Sequence, residues 1–196
     1  MKKILALVLC AVMLLGCAAG VRADYEPDTD YMALMMEAAS RGDTKTGLWA
    51  QLCRDEKIDA LGLEYPKLDY TELMLLSKII WAEAGSVWLS MEWKMCVGEV
   101  VLNRMASPEF PNTMQEVLDQ PGQYYGKNNP YFLSILPTPE CVQAAKRLLE
   151  GERIMGDPSV VFQSNYILGS GIHTALFDPL LGYSYFCFSS HPELYA

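Results

Sequence analysis

The stretch TELMLLSKIIWAEAG, residues 71–85, decides how this chain is read. Leu73, Leu76, Ile80 and Ala84 recur at helical spacing, which predicts a helix with one apolar face. Glu83 falls three residues after Ile80, four after Ile79 and seven after Leu76, so it lies on that greasy side. It also stands in the last turn, just before Gly85, a helix stop signal. Desolvation disfavours a charged carboxylate, and the partial negative charge of a helix C-terminus works in the same direction. A carboxyl kept protonated near neutral pH is a general acid. The same spacing also suits a glutamate paired with a Lys or Arg, or one that bends out to water, and periodicity alone leaves these readings open.

The segment before this helix predicts a small helical hairpin. Residues 31–39 are rich in Met and Ala at helical spacing, Arg41, Gly42 and Asp43 form a turn, and Leu48, Leu52 and Ile58 line a second helix. Residues 62–69, with Pro66, read as a connector. After Glu83 comes a second long helix from about residue 90 to 105, with Trp93, Val97, Val100, Val101 and Met105 inward, ended by Pro108 and Pro111. Thr113 is the expected N-cap of a short helix, and Thr138 that of another, with Pro139 at its first position and Val142, Ala145, Leu148 and Leu149 on its buried stripe. Beyond Gly156 the composition changes. Residues 160–166 and 183–188 are rich in β-branched and aromatic side chains, as strands are. Helices followed by a few strands predict an α+β domain that is mainly helical, with a small C-terminal sheet.

The N-terminus predicts export. Lys2 and Lys3 precede an apolar run from Ile4 to Leu15, short for a membrane span of roughly 20 residues but suited to a signal peptide. Two processing routes are open. Leu14, Leu15, Gly16 and Cys17 look like a lipobox that would place lipid on Cys17, while Val21, Arg22 and Ala23 look like an ordinary cleavage site before Asp24. The expected organisation is therefore a signal peptide over 1–23, a helical extension and connector over 24–68 and a main domain over 69–196. Loss of residues 1–23 would take the formal net charge from -9 to -12, which excludes most phosphate-rich partners, and no cluster of Lys and Arg suggests nucleic-acid binding. Membrane attachment is expected only through lipid at Cys17. Outside the signal, Cys53, Cys96, Cys141 and Cys187 are widely spaced without a CxxC pair, and whether they are bridged stays open. With His173 and His191 the only histidines, neither a metal site nor any cofactor is expected.

A family resemblance becomes specific between Ile79 and Gln123. The run Ile80 to Gly85, then Val97-Gly98-Glu99-Val100-Val101-Leu102-Asn103-Arg104, then Ser107, Pro108, Phe110, Pro111, Asn112 and Thr113, then Gln123 and Tyr124, resembles the cell-wall hydrolase family typified by the spore-cortex-lytic enzymes SleB and CwlJ. The resemblance covers roughly residues 73–189 and is weaker in its last third. It implies a lysozyme-like fold, cleavage of peptidoglycan glycan strands, an extracytoplasmic, wall-associated location, and Glu83 as the catalytic acid. It also suggests a lytic transglycosylase reaction between N-acetylmuramic acid and N-acetylglucosamine with a single carboxyl. The rivals are a hydrolytic muramidase, which needs a second carboxylate roughly 5 to 9.5 Å away, and a glycan-binding lipoprotein without catalysis. Glu99, Asp119 and Asp178 are the candidates for a second carboxylate.

Gln123, Tyr124 and Tyr125 are expected in a loop where an amide and aromatic rings contact sugars. Asn103 is read as either substrate-binding or structural, and Arg104 as structural. Gln163 and Asn165, alternating on the first strand, would share a face able to read N-acetyl groups. Two features depart from the family. Ser184 stands where many members carry a histidine in a Gly-x-His-x-Phe pattern, and residues 169–179, with His173 read as a loop histidine, align poorly. Spore cortex and vegetative wall remain equally open as substrates.

Overall fold

A computed structural model describes residues 26, 28–124 and 128–195. The expected hairpin is formed by α1 (Tyr31–Arg41) and α2 (Thr44–Leu61). Gly42 ends α1 in a left-handed conformation at φ 67°, and the Asp43 side chain accepts from Thr46 N at 3.1 Å to cap α2, so the Arg-Gly-Asp tripeptide is the turn. The face of α2 differs from the expectation. Leu48 and Leu52 are 43% and 59% exposed, and the helix turns Gly47, Ala50, Cys53 and Ile58 inward. The reason is close contact. The ring of Tyr70 lies against Gly47, where a Cβ would come within 2.0 Å of it, and Tyr70 donates its hydroxyl to Asp43 O and its N–H to Gln51.

Helix α3 (Tyr70–Ala84) is the element predicted from 71–85, capped by Asp69 through Glu72 N. Leu73, Leu76, Ile79, Ile80 and Ala84 are all buried. It packs against α4 (Met91–Ala106) and α7 (Pro139–Leu149). The three helices meet at Gly98, where a Cβ would lie 2.5 Å from Leu148 Cδ1 and 2.8 Å from Ile80 Cδ1. Two short helices, α5 (Met114–Leu118) and α6 (Pro130–Ser134), sit on this layer. Thr113 caps α5 as expected, whereas Thr138 occupies the N-cap position of α7 without a capping bond and donates its hydroxyl to Cys141 Sγ. Helix α6 was not anticipated; its signature is Asn129 as cap followed by Pro130. One buried core runs from Tyr31 and Met35 through α3, α4 and α7 to Val160 and Phe186.

The sheet has three antiparallel strands, β1 (Val160–Ser164), β2 (Ile172–Asp178) and β3 (Gly182–Phe188), in the order β1-β3-β2. Strand β1 ends at Ser164, two residues short of the expectation, and β2 was not foreseen, so His173 is a strand residue and not a loop residue. A register shift between Val160 and Phe162 lets Val160 and Val161 both be buried. All four described cysteines are buried and unbridged. Together these elements form a mainly helical α+β, lysozyme-like fold. Among the described residues no helix is long and apolar enough to cross a membrane.

Candidate active site

The C-terminal end of α3 opens into a cleft of about 170 Å³ lined by Glu83, Arg104, Gly122, Gln123, Tyr124, Gln163, Ser164, Tyr166 and Leu168. The last turn of α3 reaches past the core that covers Ile79 and Ile80. Glu83, although on the apolar face by spacing, therefore emerges into the cleft and is reachable by water, where a sheltered side chain was expected. Its surroundings are concave. Protein packed around the carboxyl removes enough hydration to raise its pKa above the ordinary glutamate value, and desolvation is the whole cause. Among the described residues, no hydrogen bond or ion pair holds this carboxyl. An acid with a raised pKa, open on one side to a ligand, can hand over a proton and take it back.

The rest of the cleft is organised by Arg104. Its Nε donates to Val161 O at 2.7 Å, tying α4 to the start of β1. Its guanidinium carbon lies 4.9 Å from the Phe110 ring centre, 5.0 Å from that of Tyr124 and 5.9 Å from that of Phe162. The negative ring faces hold the cation, and Nη1 is buried without a hydrogen-bond partner among the described residues. Tyr124 is thereby fixed beside Glu83. Burial raises its phenol pKa, the charge of Glu83 adds to the rise, and Arg104 opposes it, so the hydroxyl stays protonated and able to donate. The side-chain amides of Gln123 and Gln163 have no partner among the described residues and line the same cleft.

The loop between Glu83 and α4 is held from below. Lys94 is buried, and its Nζ donates to Ser86 O at 3.0 Å and to Leu89 O at 2.8 Å. This clamp was missed in the sequence because a lysine on a helix usually signals a solvated face. The opposite wall is fixed where Gly169, at φ 56°, passes so close to β3 that a Cβ would lie 1.9 Å from Phe188 O. That crossing sets the path of residues 165–168, which carry Tyr166 and Leu168 into the cleft.

Residues 90–169 match the family model described as Cell Wall Hydrolase. The match supports an enzyme acting on peptidoglycan. The matched span takes in Arg104, Gln123, Tyr124 and Gln163 and begins after Glu83. No curated protein and no solved structure matches the chain.

Of the residues singled out in the sequence, Glu83, Gln123, Tyr124 and Gln163 converge on the cleft. Asn103 does not reach it: its Nδ2 donates to Asp157 O at 2.9 Å and to Val160 O at 3.0 Å, so its role is to join α4 to the approach of β1. Asn165 lies in the turn after β1 and does not share a strand face with Gln163. Tyr125 and Cys17 lie outside the described residues. The proposed second carboxylates are engaged elsewhere. Glu99 is 0% exposed and accepts N–H groups from Ile154 at 2.7 Å, Met155 at 3.0 Å and Gly156 at 2.8 Å. Asp178 closes the β2–β3 turn by accepting from Leu180 N and Leu181 N, and Asp119 accepts from Gln115. A larger groove of about 340 Å³ between α1 and α7 is mostly apolar, and its carboxylate, Glu37, is paired with Arg41 at 2.7 Å. It offers no comparable chemistry.

Proposed function

We propose that this chain cleaves peptidoglycan between N-acetylmuramic acid and N-acetylglucosamine as a lytic transglycosylase, with Glu83 as acid and then base. The observation that carries this reading is an unpaired carboxyl of raised pKa in a cleft where, among the described lining residues, no second carboxylate stands. Glu83 would protonate the glycosidic oxygen as the bond from C1 breaks, releasing the N-acetylglucosamine side. The C6 hydroxyl of the same muramic acid then forms the new bond to C1, and its proton returns to Glu83. A 1,6-anhydro end results, and the carboxyl is restored. Hydrolysis by the usual two-carboxylate route would need a partner 5 to 9.5 Å away, roughly. Glu99, Asp119 and Asp178 are all tied to their own structural neighbours.

Gln123 and Gln163 supply free amides suited to N-acetyl groups, and Tyr124 a neutral hydroxyl and ring beside the acid. The apolar run at residues 4–15 and the likeness to wall hydrolases support an extracytoplasmic location, secreted or held by lipid at Cys17. Incubation of the purified protein with sacculi, followed by analysis of the released muropeptides, tests the reaction. Anhydro-ended fragments are expected. Reducing ends would replace the proposal by a hydrolytic muramidase, and no soluble fragments from folded protein would leave a glycan-binding function.

A further inference from the structure

The sheet does not end where the cleft ends. The last pair joining β1 to β3 is Ser164 with Tyr185, whereas β2 and β3 continue through Leu176 with Ser184, Phe177 with Tyr183 and Asp178 with Gly182. At roughly 3.3 Å per residue the hairpin projects about 10 Å beyond the end of β1. Directly paired residues share a face, so Ser164, Tyr185, Tyr183 and Phe177 lie on one side of the sheet. Ser164 lines the cleft. Tyr185 and Tyr183 are stacked with ring centres 5.4 Å apart and planes 12° apart, and Phe177 lies 4.8 Å from Tyr183. The outer rings are open, with Tyr183 51% and Phe177 59% exposed. Neither tyrosine hydroxyl has a hydrogen-bond partner among the described residues. Aromatic groups left uncovered in a continuous row mark an interaction surface.

We propose that Tyr185, Tyr183 and Phe177 form an outer binding track for the glycan strand, continuing from the Glu83 cleft across the open face of the projecting hairpin. The inference rests on the peptidoglycan reading of the cleft. Continuity argues for a glycan as occupant: the row starts at a residue of the cleft itself, and a linear polymer held there must leave it along one of its borders. Chemistry argues the same way. The row carries no cation, and the chain is acidic overall, which disfavours a polyanion, whereas sugar faces present C–H groups to aromatic rings while their hydroxyls meet phenols. Rigid aromatic side chains also bind at low entropic cost.

The test uses the whole secreted protein. In an E83Q background, where bound strands stay intact, F177A/Y183A is compared with its parent for co-sedimentation with purified sacculi. In the active background, turnover of long glycan chains is compared with turnover of a muropeptide tetrasaccharide. Sacculus affinity and the long-to-short turnover ratio are both expected to fall about tenfold, and Y183W should restore both on its own. Unchanged sacculus binding by F177A/Y183A would overturn the track, as would an equal fall on long and short substrates. So would retention of sacculus binding with loss of co-sedimentation on phosphatidylglycerol vesicles, which would make the hairpin a lipid-facing surface. If E83Q with the intact row fails to bind sacculi and the wild type fails to cleave them, the peptidoglycan reading itself falls with it.

Discussion

Two glutamates on neighbouring helices show what environment does to one side chain. Glu99 sits mid-helix on α4, fully buried, with both carboxylate oxygens accepting backbone N–H groups from residues 154–156. Glu83 sits in the last turn of α3, open to the cleft, with no partner among the described residues and a raised pKa. On the proposed reading the reactive carboxyl is therefore the shallower of the two, and depth of burial alone would not single it out. Glu99 is the deeper of the two, and its oxygens are used to satisfy three donors of a turn. Glu83 is surrounded enough to lose hydration and left without compensation, so its proton is available.

Substitution of Glu83 tests this contrast most severely. E83Q keeps the shape and removes the proton donor, and release of muropeptides is expected to fall by about 10² to 10⁴, measured on sacculi at equal folded concentration. A variant that still releases fragments at near the wild-type rate would remove Glu83 from the reaction. The converse change tests the other side. In E99Q the amide nitrogen faces a backbone N–H where a carboxylate oxygen accepted one, and the unfolding free energy in denaturant is expected to drop by about 3 kcal/mol. The molecules that remain folded should keep their turnover. Loss of activity in an E99Q protein of native stability would mean that the buried glutamate acts in the chemistry after all.

A third change sharpens how rigidly the two helices are held together. G98A puts a methyl group where Leu148 and Ile80 already lie within 2.5 and 2.8 Å. Overpacking of this kind costs about 1 to 3 kcal/mol. Because Ile80 is one turn before Glu83, a small loss of activity should accompany the lower melting temperature. An unchanged melting temperature would show that α3 and α4 can slide apart at that crossing.

Helix α3 was legible because everything that specifies it is local: Asp69 caps it, its apolar positions repeat at one period, and Gly85 follows it. The cleft was only partly legible. Glu83, Arg104, Gln123, Tyr124 and Gln163 come from four separate segments, and nothing in spacing says that they converge. Asn103 and Gln163 looked alike as polar residues on apolar elements, yet Asn103 spends its amide on backbone carbonyls while Gln163 keeps its own free. The face of α2 was misread because Tyr70, far along the chain, fits against Gly47 and turns Leu48 and Leu52 outward. Strand β2 was missed because its exposed and half-buried positions carry mixed residues, and it is ordered by pairing with β3 and not by its own pattern.

The smallest expected effect separates the two glutamates by pH. Desolvation raises the folded-state pKa of Glu83, so the native protein holds this proton more tightly than the unfolded chain does. Glu83 contributes stability that is complete below its unfolded value, near 4.5, and is lost as pH rises through the raised folded value. Above the raised folded value the wild type carries a poorly hydrated charge that E83Q lacks. The variant should therefore melt slightly higher than the wild type at pH above that value, and the gap should close as pH is lowered to 4 and below. Melting curves of both proteins across that range check it. The activity of the wild type should follow the same proton, with the alkaline limb of kcat/KM lying above the ordinary glutamate range. A gap of the opposite sign would mean that the ionised form of Glu83 is held by a favourable contact, and a carboxylate stabilised in that way is a poor proton donor.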